Sequence, residues 1–156
     1  MTIGANLTRT YTSDQLDEGN APGLGDHYED HAGKVYKFVL FNNGQGDVAS
    51  VAGDFAYYYL AGGTQDDEVT MDLTDSIGIG AGVFQAVIAD GSYGWVQIMG
   101  KATLTTAPLA GADGNAMTAV GASTDGTLDV SALVTDAICA VADDISAKEV
   151  MLCCPW

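Results

Sequence analysis

Two histidines, His27 and His31, have a spacing that could serve metal chemistry. They lie four residues apart in GDHYEDHAG, and on a helix that spacing places both side chains on one face. Zinc proteases need a glutamate directly after the first histidine as the general base. Here Tyr28 holds that place and Glu29 comes one residue later. The surrounding carboxylates could hold a hard cation, but the segment has no helical period. We therefore interpret it as a solvated acidic loop and predict no metal site.

A second acidic cluster is formed by Asp66, Asp67, Glu68, Asp72 and Asp75. Two carboxylates could hydrolyse a glycosidic bond, one acting as acid and one as nucleophile. That chemistry requires an apolar pocket that raises the pKa of one carboxyl group, and the sequence assigns no such pocket. With 21 acidic and 5 basic residues, acidic pairs are expected without any function.

The remaining nucleophiles lack the partners that activate them. Ser92 and Ser131 have no strand–turn–helix setting, and Cys153-Cys154 is not a Cys-x-x-Cys pair. GIGAGV lacks the following helix of a dinucleotide site, and no glycine-rich loop ends in Lys-Ser or Lys-Thr. We predict no catalytic residue and no cofactor, and hence a protein that is not an enzyme.

Charge and length narrow the classes of partner. A chain of 156 residues is expected to form one domain. Its formal net charge of -16 repels nucleic acid and anionic lipid, so we expect no direct contact with either. No secretory leader is recognisable at the start of the sequence, and no run of 18 apolar residues occurs. Three cysteines, two of them adjacent, make a poor disulfide framework and are expected to be reduced thiols, as in a cytoplasmic setting.

The N-terminal part of the chain differs from the rest. TSDQLDEGNAPGLGDHYEDHAG is polar, glycine-rich and acidic, and it has neither a helical nor a strand period. We predict that residues 1–33 form an extended N-terminal arm, of the kind that often orders against a partner. Residues 34–156 are predicted to form a single β-rich domain.

Strand patterns begin with KVYKFVLF at residues 34–41, which is β-branched and aromatic and is followed by the turn-like NNGQG. We divide DVASVAGDFAYYYLAGG at AGD into strands at 47–52 and 54–60. In TQDDEVTMDL the apolar residues alternate with polar ones, as in a half-buried strand. Residues 83–104 are predicted to form a hairpin around the turn in ADGSYG.

The C-terminal part is predicted to end in another hairpin, in which AICAVA and KEVMLCC flank DDISA. A helix over 131–142 is the alternative, because alanine and leucine permit it. Many short strands, 20 glycines and no sustained helical period predict an all-β fold. The expected architecture is a compact β-barrel or β-sandwich of short antiparallel strands.

Aromatic side chains are the remaining functional signal. Tyr57, Tyr58 and Tyr59 are consecutive, so on a strand they cannot all face the core. Exposed tyrosine and tryptophan are typical anchors of protein interfaces. The predicted interface residues are Tyr11, Tyr57, Tyr58, Tyr59, Trp95 and Trp156, with filling of the core as the alternative for each.

The succession of VYKFVLFNN, AGD and GAGVFQAVIADGSYGWVQIMGKATL resembles the small β-rich head proteins of tailed bacteriophages. These are decoration, or cement, proteins that coat the assembled capsid. The resemblance covers roughly residues 34–156. It implies a virion protein made in the host cytoplasm that binds the outer capsid surface and stabilises the shell by bridging neighbouring coat subunits.

Such a protein is expected to act without chemistry, with major capsid protein subunits as its partners. It is also expected to be a homo-oligomer, with a trimer favoured. Two alternatives stay open at this point: another phage head or tail component, and a β-barrel module that binds a carbohydrate or another small ligand through its aromatic side chains. A small hydrolase that uses the acidic clusters is a more distant alternative.

Overall fold

A computed structural model describes residues 4–59 and 67–155. The chain is nearly all β, with 39% of its residues in strands and 5% in helix. Five strands close into a barrel and further strands pack outside it, so the predicted all-β fold is confirmed. Within the described ranges, no helix has the length and apolar character needed to cross a bilayer.

The elements follow the chain in a simple order. The short helix α1 spans Ser13–Leu16, and a 3-10 turn spans Leu73–Asp75. The strands are β1 (His27–Glu29), β2 (Val35–Phe41), β3 (Phe55–Tyr59), β4 (Glu68–Thr70), β5 (Ser76–Phe84), β6 (Tyr93–Thr103), β7 (Ala116–Thr118), β8 (Asp129–Val130), β9 (Ile138–Asp144) and β10 (Glu149–Cys153).

The barrel is closed in the order β2–β4–β3–β5–β6, with β6 pairing back to β2. Only β2 and β4 run parallel; the other pairs in the barrel are antiparallel. Strand β6 can serve three neighbours because it has 11 residues. Its first part pairs with β2, its middle with β5 and its end with β10.

Glycines in β5 allow the barrel to close tightly. An added Cβ at Gly82 would lie 2.5 Å from the backbone carbonyl oxygen of Gln97 in β6. At Gly80 an added Cβ would lie 2.5 Å from the ring of Phe55 and 2.6 Å from Cys139 Sγ. Real Cβ atoms do not approach other atoms this closely. The glycines at positions 80 and 82 of SIGIGAGVF therefore allow the neighbouring side chains and backbone to pack directly against this strand.

Beyond the barrel, β6 continues into an outer sheet of order β10–β9–β7–β8. The inner side of this sheet packs on the barrel core through Met117, Ala140 and Leu152, which are all buried. Strands β9 and β10 form the hairpin that was predicted from AICAVA and KEVMLCC. The alternative helix over 131–142 does not form.

The N-terminal segment (residues 4–26) lies against its own barrel. The backbones of Tyr11 and Tyr93 exchange two hydrogen bonds of 2.9 and 2.8 Å, and β1 pairs with β2. Tyr11 of the segment packs with Tyr36, Phe38 and Trp95 in an aromatic cluster that is separate from the main barrel core. The described part of the predicted arm therefore packs against the barrel of its own chain.

Three strand predictions were wrong in detail. Residues 47–52 form no strand, because Asp47 takes a left-handed φ of 54° and the Val48 amide bonds back to Asn43. The alternation after Glu68 ends at Thr70, since the Asp72 side chain caps the 3-10 turn. The predicted hairpin of 83–104 is shifted: β5 ends at Phe84, and it pairs with β6 at only two positions.

Candidate functional site

Three of the six aromatic residues predicted as interface anchors are buried inside the chain. Tyr11, Tyr57 and Trp95 are only 7, 0 and 3% exposed, so their side chains are covered by other parts of the protein. Tyr58 and Tyr59 are half-buried and stay predictions as interface residues. Trp156 lies outside the described residues. The three tyrosines do not all face the core, as the strand period predicted.

Tyr58 belongs to a charged network that links β3 to β2. Lys37 is 5% exposed, and its Nζ lies 2.5 Å from Asp67 Oδ1 and 3.2 Å from the Tyr58 hydroxyl. Burial alone would lower the pKa of Lys37, but hydrogen bonds to Asp67 and Tyr58 outweigh it and raise the pKa. The amine is therefore held protonated, which suits a structural ion pair and not a nucleophile.

The histidine segment does not form a metal site in the described ranges. His27 begins β1 and His31 lies in the turn after it, and both are exposed. The carboxylate of Asp30, between them, accepts hydrogen bonds from the amides of Ala32 and Lys34 at 2.9 and 3.0 Å. Residues 4–59 and 67–155 contain no group of three histidine, cysteine or acidic side chains placed to hold a metal.

Many aspartates act as clamps on loops. Asp72 accepts hydrogen bonds from the amides of Thr74 and Gly46 at 2.9 and 3.0 Å and from the Thr74 hydroxyl at 2.6 Å. Asp54 binds the Thr106 amide in the same way at 2.8 Å, and Asp136 binds the Leu133 amide at 2.9 Å. The acidic residues thus satisfy backbone donors that the loops would otherwise leave unpaired.

These clamps lower carboxyl pKa values. The hydrogen bond from the Lys34 amide is the main cause that lowers the pKa of Asp30. The hydrogen bond from the Leu133 amide does the same for Asp136. At Asp72 burial acts to raise the pKa, but the hydrogen bonds from Thr74 and Gly46 prevail and lower it. A lowered pKa in the folded state stabilises the fold above the unfolded value of about 4. The stabilisation is lost as the pH falls through the folded pKa.

We expect Asp72→Asn to lower the free energy of unfolding by about 1–2 kcal/mol at pH 7, because an amide cannot accept from both Thr74 and Gly46 as the carboxylate does. The difference should shrink as the pH falls through the lowered pKa of the wild-type Asp72 carboxyl, because that group then becomes protonated and loses its advantage over the amide. Urea unfolding across this pH range measures both effects. Asp17→Asn, at an exposed position, is the control; equal losses in the two variants at pH 7 would disprove the clamp.

The outward side of β9 and β10 is an exposed sheet surface with apolar side chains at its centre. Val141 and Met151 are cross-strand partners, 38 and 45% exposed, and Cys153 follows two residues after Met151 and is also exposed. We call these three residues the outer face. The loop before β9 adds Leu133, 65% exposed, and the fully exposed Val134.

An ion-paired row borders the outer face. Lys101 is the β6 partner of Met151, and its Nζ lies 2.9 Å from Asp143 Oδ2 and 2.5 Å from Glu149 Oε2. The hydrogen bonds to Glu149 and Asp143 raise the pKa of Lys101. One of the five basic residues of the chain thus offsets negative charge beside the apolar pair. Because Lys101 pairs with two carboxylates, the row as a whole still carries a net negative charge.

The three cysteines are free thiols, as predicted. Cys139 and Cys154 are buried, and the thiol of Cys154 lies 3.5 Å from the carbonyl oxygen of Cys139. Cys139 packs over Gly80 of the barrel. Both therefore fill space as small apolar side chains.

Comparison with known proteins finds no relative: no family model, no curated protein and no solved structure matches the chain. The resemblance to decoration proteins accordingly rests on the succession of residues quoted above.

Proposed function

We propose that this chain is a structural protein of a tailed-bacteriophage head. It binds the outer surface of the assembled capsid and stabilises the shell by bridging neighbouring coat subunits. The observation that carries the proposal is the outer face, where an aligned apolar pair lies exposed on a sheet in a chain of net charge -16. A strongly acidic protein that leaves such a surface uncovered is suited to dock it on another protein.

The distribution of polar groups supports a binding role without chemistry. Of the acidic cluster, Asp67 pairs with Lys37, and Asp72 accepts hydrogen bonds from the loop amides of Thr74 and Gly46. Asp66 lies outside the described residues. The strength of attachment therefore depends on the apolar area buried at each contact and on the number of copies bound to the capsid. Buried apolar area contributes about 25 cal/mol per Å², and many copies on a closed lattice add avidity without any new contact.

Charge supports placement on the outside of the shell. The negative surface is repelled by packaged nucleic acid and by anionic membranes, so the protein is kept from competing sites. We propose that the chain acts as a homo-oligomer, with a trimer favoured, so that each assembly presents several outer faces to several coat subunits.

Deletion of the chain from the virus that encodes it tests the proposal. Heads without it are expected to release their contents at a lower temperature than wild-type heads, and addition of the purified protein should restore the wild-type temperature. Release can be followed with a dye that fluoresces on exposed nucleic acid. Heads that contain no copy of the chain in the wild type, or that melt identically with and without it, would refute the proposal.

A further inference from the structure

A cavity of about 460 Å³ lies between the N-terminal segment and the aromatic cluster. Its lining includes Arg9, Tyr11, Asn20, Asp26, Tyr28 and Trp95. Its volume is within the range of about 300–1,000 Å³ typical of sites for small ligands. The outer face lies on β9 and β10, whereas this cavity is formed by residues 4–28 and β6, so it is a separate feature of the molecule.

Trp95 supplies a hydrogen-bond donor for which the described residues offer no acceptor. Its side chain is 3% exposed, and its indole Nε1–H has no hydrogen-bond partner among residues 4–59 and 67–155. Leaving such a buried donor unpaired is unfavourable, and a ligand oxygen would satisfy it. Because the N–H is covered, a ligand reaches it only by shifting the side chains that lie over it.

Arg9 is the second group without its usual partner. It is the only arginine of the sequence, and within the described ranges it forms an ion pair with no carboxylate. Its guanidinium lies over the Tyr11 ring, 4.6 Å from the ring centre, and its side chain is exposed. The planar donor is thus held at the cavity by stacking, with its hydrogen-bonding capacity still available to a ligand.

The remaining lining combines aromatic walls with short polar side chains. Tyr28 packs edge-on against Trp95 with ring centres 6.5 Å apart, and Asn20 and Asp26 are exposed at the rim. The half-buried ring of Tyr28 offers surface to the C–H face of a sugar, while amide, carboxylate and guanidinium groups fix its hydroxyls. Arg9 and Asp26 balance each other in charge, and the net charge of -16 opposes an anion.

We propose that this cavity binds a neutral saccharide, with Trp95 and Arg9 as the donors that orient it. The site would give the protein a second activity, recognition of a glycan, that does not depend on capsid attachment. Its test therefore uses the isolated chain and is independent of any result with viral heads.

The indole N–H resonance of Trp95 in a ¹⁵N–¹H spectrum reports directly on the site. Trp156→Phe assigns it, since the sequence has only two tryptophans. Glucose, galactose and N-acetylglucosamine are the neutral probes, and N-acetylneuraminate and inorganic phosphate are the anionic ones. At least one neutral sugar is expected to shift the Trp95 resonance saturably. Arg9→Ala and Asn20→Ala should each weaken binding by about tenfold, the effect of one lost hydrogen bond.

Gln45→Ala, at an exposed position outside the cavity, is the matched control and should leave the affinity unchanged. Three results would overturn the proposal. One is the absence of any shift with the three neutral sugars at about 10 mM. Another is a shift with an anionic probe alone. The third is a sugar-induced shift whose affinity is the same in wild type, Arg9→Ala and Asn20→Ala.

Discussion

Replacing Val141 and Met151 together by glutamate is expected to weaken binding to the capsid by at least about a hundredfold, or roughly 3 kcal/mol. Both side chains are exposed in the free chain, so the substitutions should leave the fold intact. In the bound state they would bury two additional carboxylates at the centre of an apolar contact, which is strongly unfavourable. Co-sedimentation of the purified protein with heads that lack it measures the affinity.

A matched double variant separates this effect from added charge alone. Val51 and Val87 are also exposed, by 38 and 64%, and they lie near each other because the Ser50 side chain bonds the backbone of Ile88. Val51→Glu with Val87→Glu should bind heads nearly as wild type does. If the variant of the outer face binds equally well, the docking surface has been assigned to the wrong side of the protein.

Phe84→Ala is expected to lower the free energy of unfolding by about 3–5 kcal/mol, the usual loss when a large core residue is truncated and a cavity remains. Phe84 is 1% exposed at the end of β5, and its ring meets Phe41 edge-on with centres 5.5 Å apart. The loss is a large share of a typical total stability of about 5–15 kcal/mol. Urea unfolding monitored by circular dichroism measures it.

Phe84→Leu is the control for that measurement. It keeps most of the buried apolar volume and should cost clearly less than the alanine substitution. A loss below about 1 kcal/mol for Phe84→Ala would mean that the ring is not part of a tightly packed core.

Local patterns were sufficient to predict the strands that carry β-branched and aromatic residues. KVYKFVLF became β2, and AICAVA with KEVMLCC became the hairpin of β9 and β10, because their residue types suit a pleated, half-buried surface. Closure of the barrel could not be predicted in this way. It depends on β6 pairing with β2 across more than fifty residues of chain, and no local period records a pairing between distant segments.

For the aromatic residues, the sequence left two alternatives open, an interface role and filling of the core, and could not decide between them. The side chain of Trp95 lies on the side of β6 away from the barrel core, as the strand alternation requires. It is buried because Tyr11 and Tyr28 pack with it, and these residues come from a segment whose sequence has no helical or strand period. The outer face, in contrast, could have been predicted from the sequence. In KEVMLCC, Val150 and Leu152 alternate with Met151 and Cys153, so two apolar residues had to lie on the side away from the core.

A difference map between viral heads with and without the chain is the most direct test of the account. We expect discrete density on the outer capsid surface, lying across neighbouring coat subunits, with Val141 and Met151 against the shell. Density inside the head or at the tail, or an attached protein whose β9–β10 surface points to solvent, would contradict it.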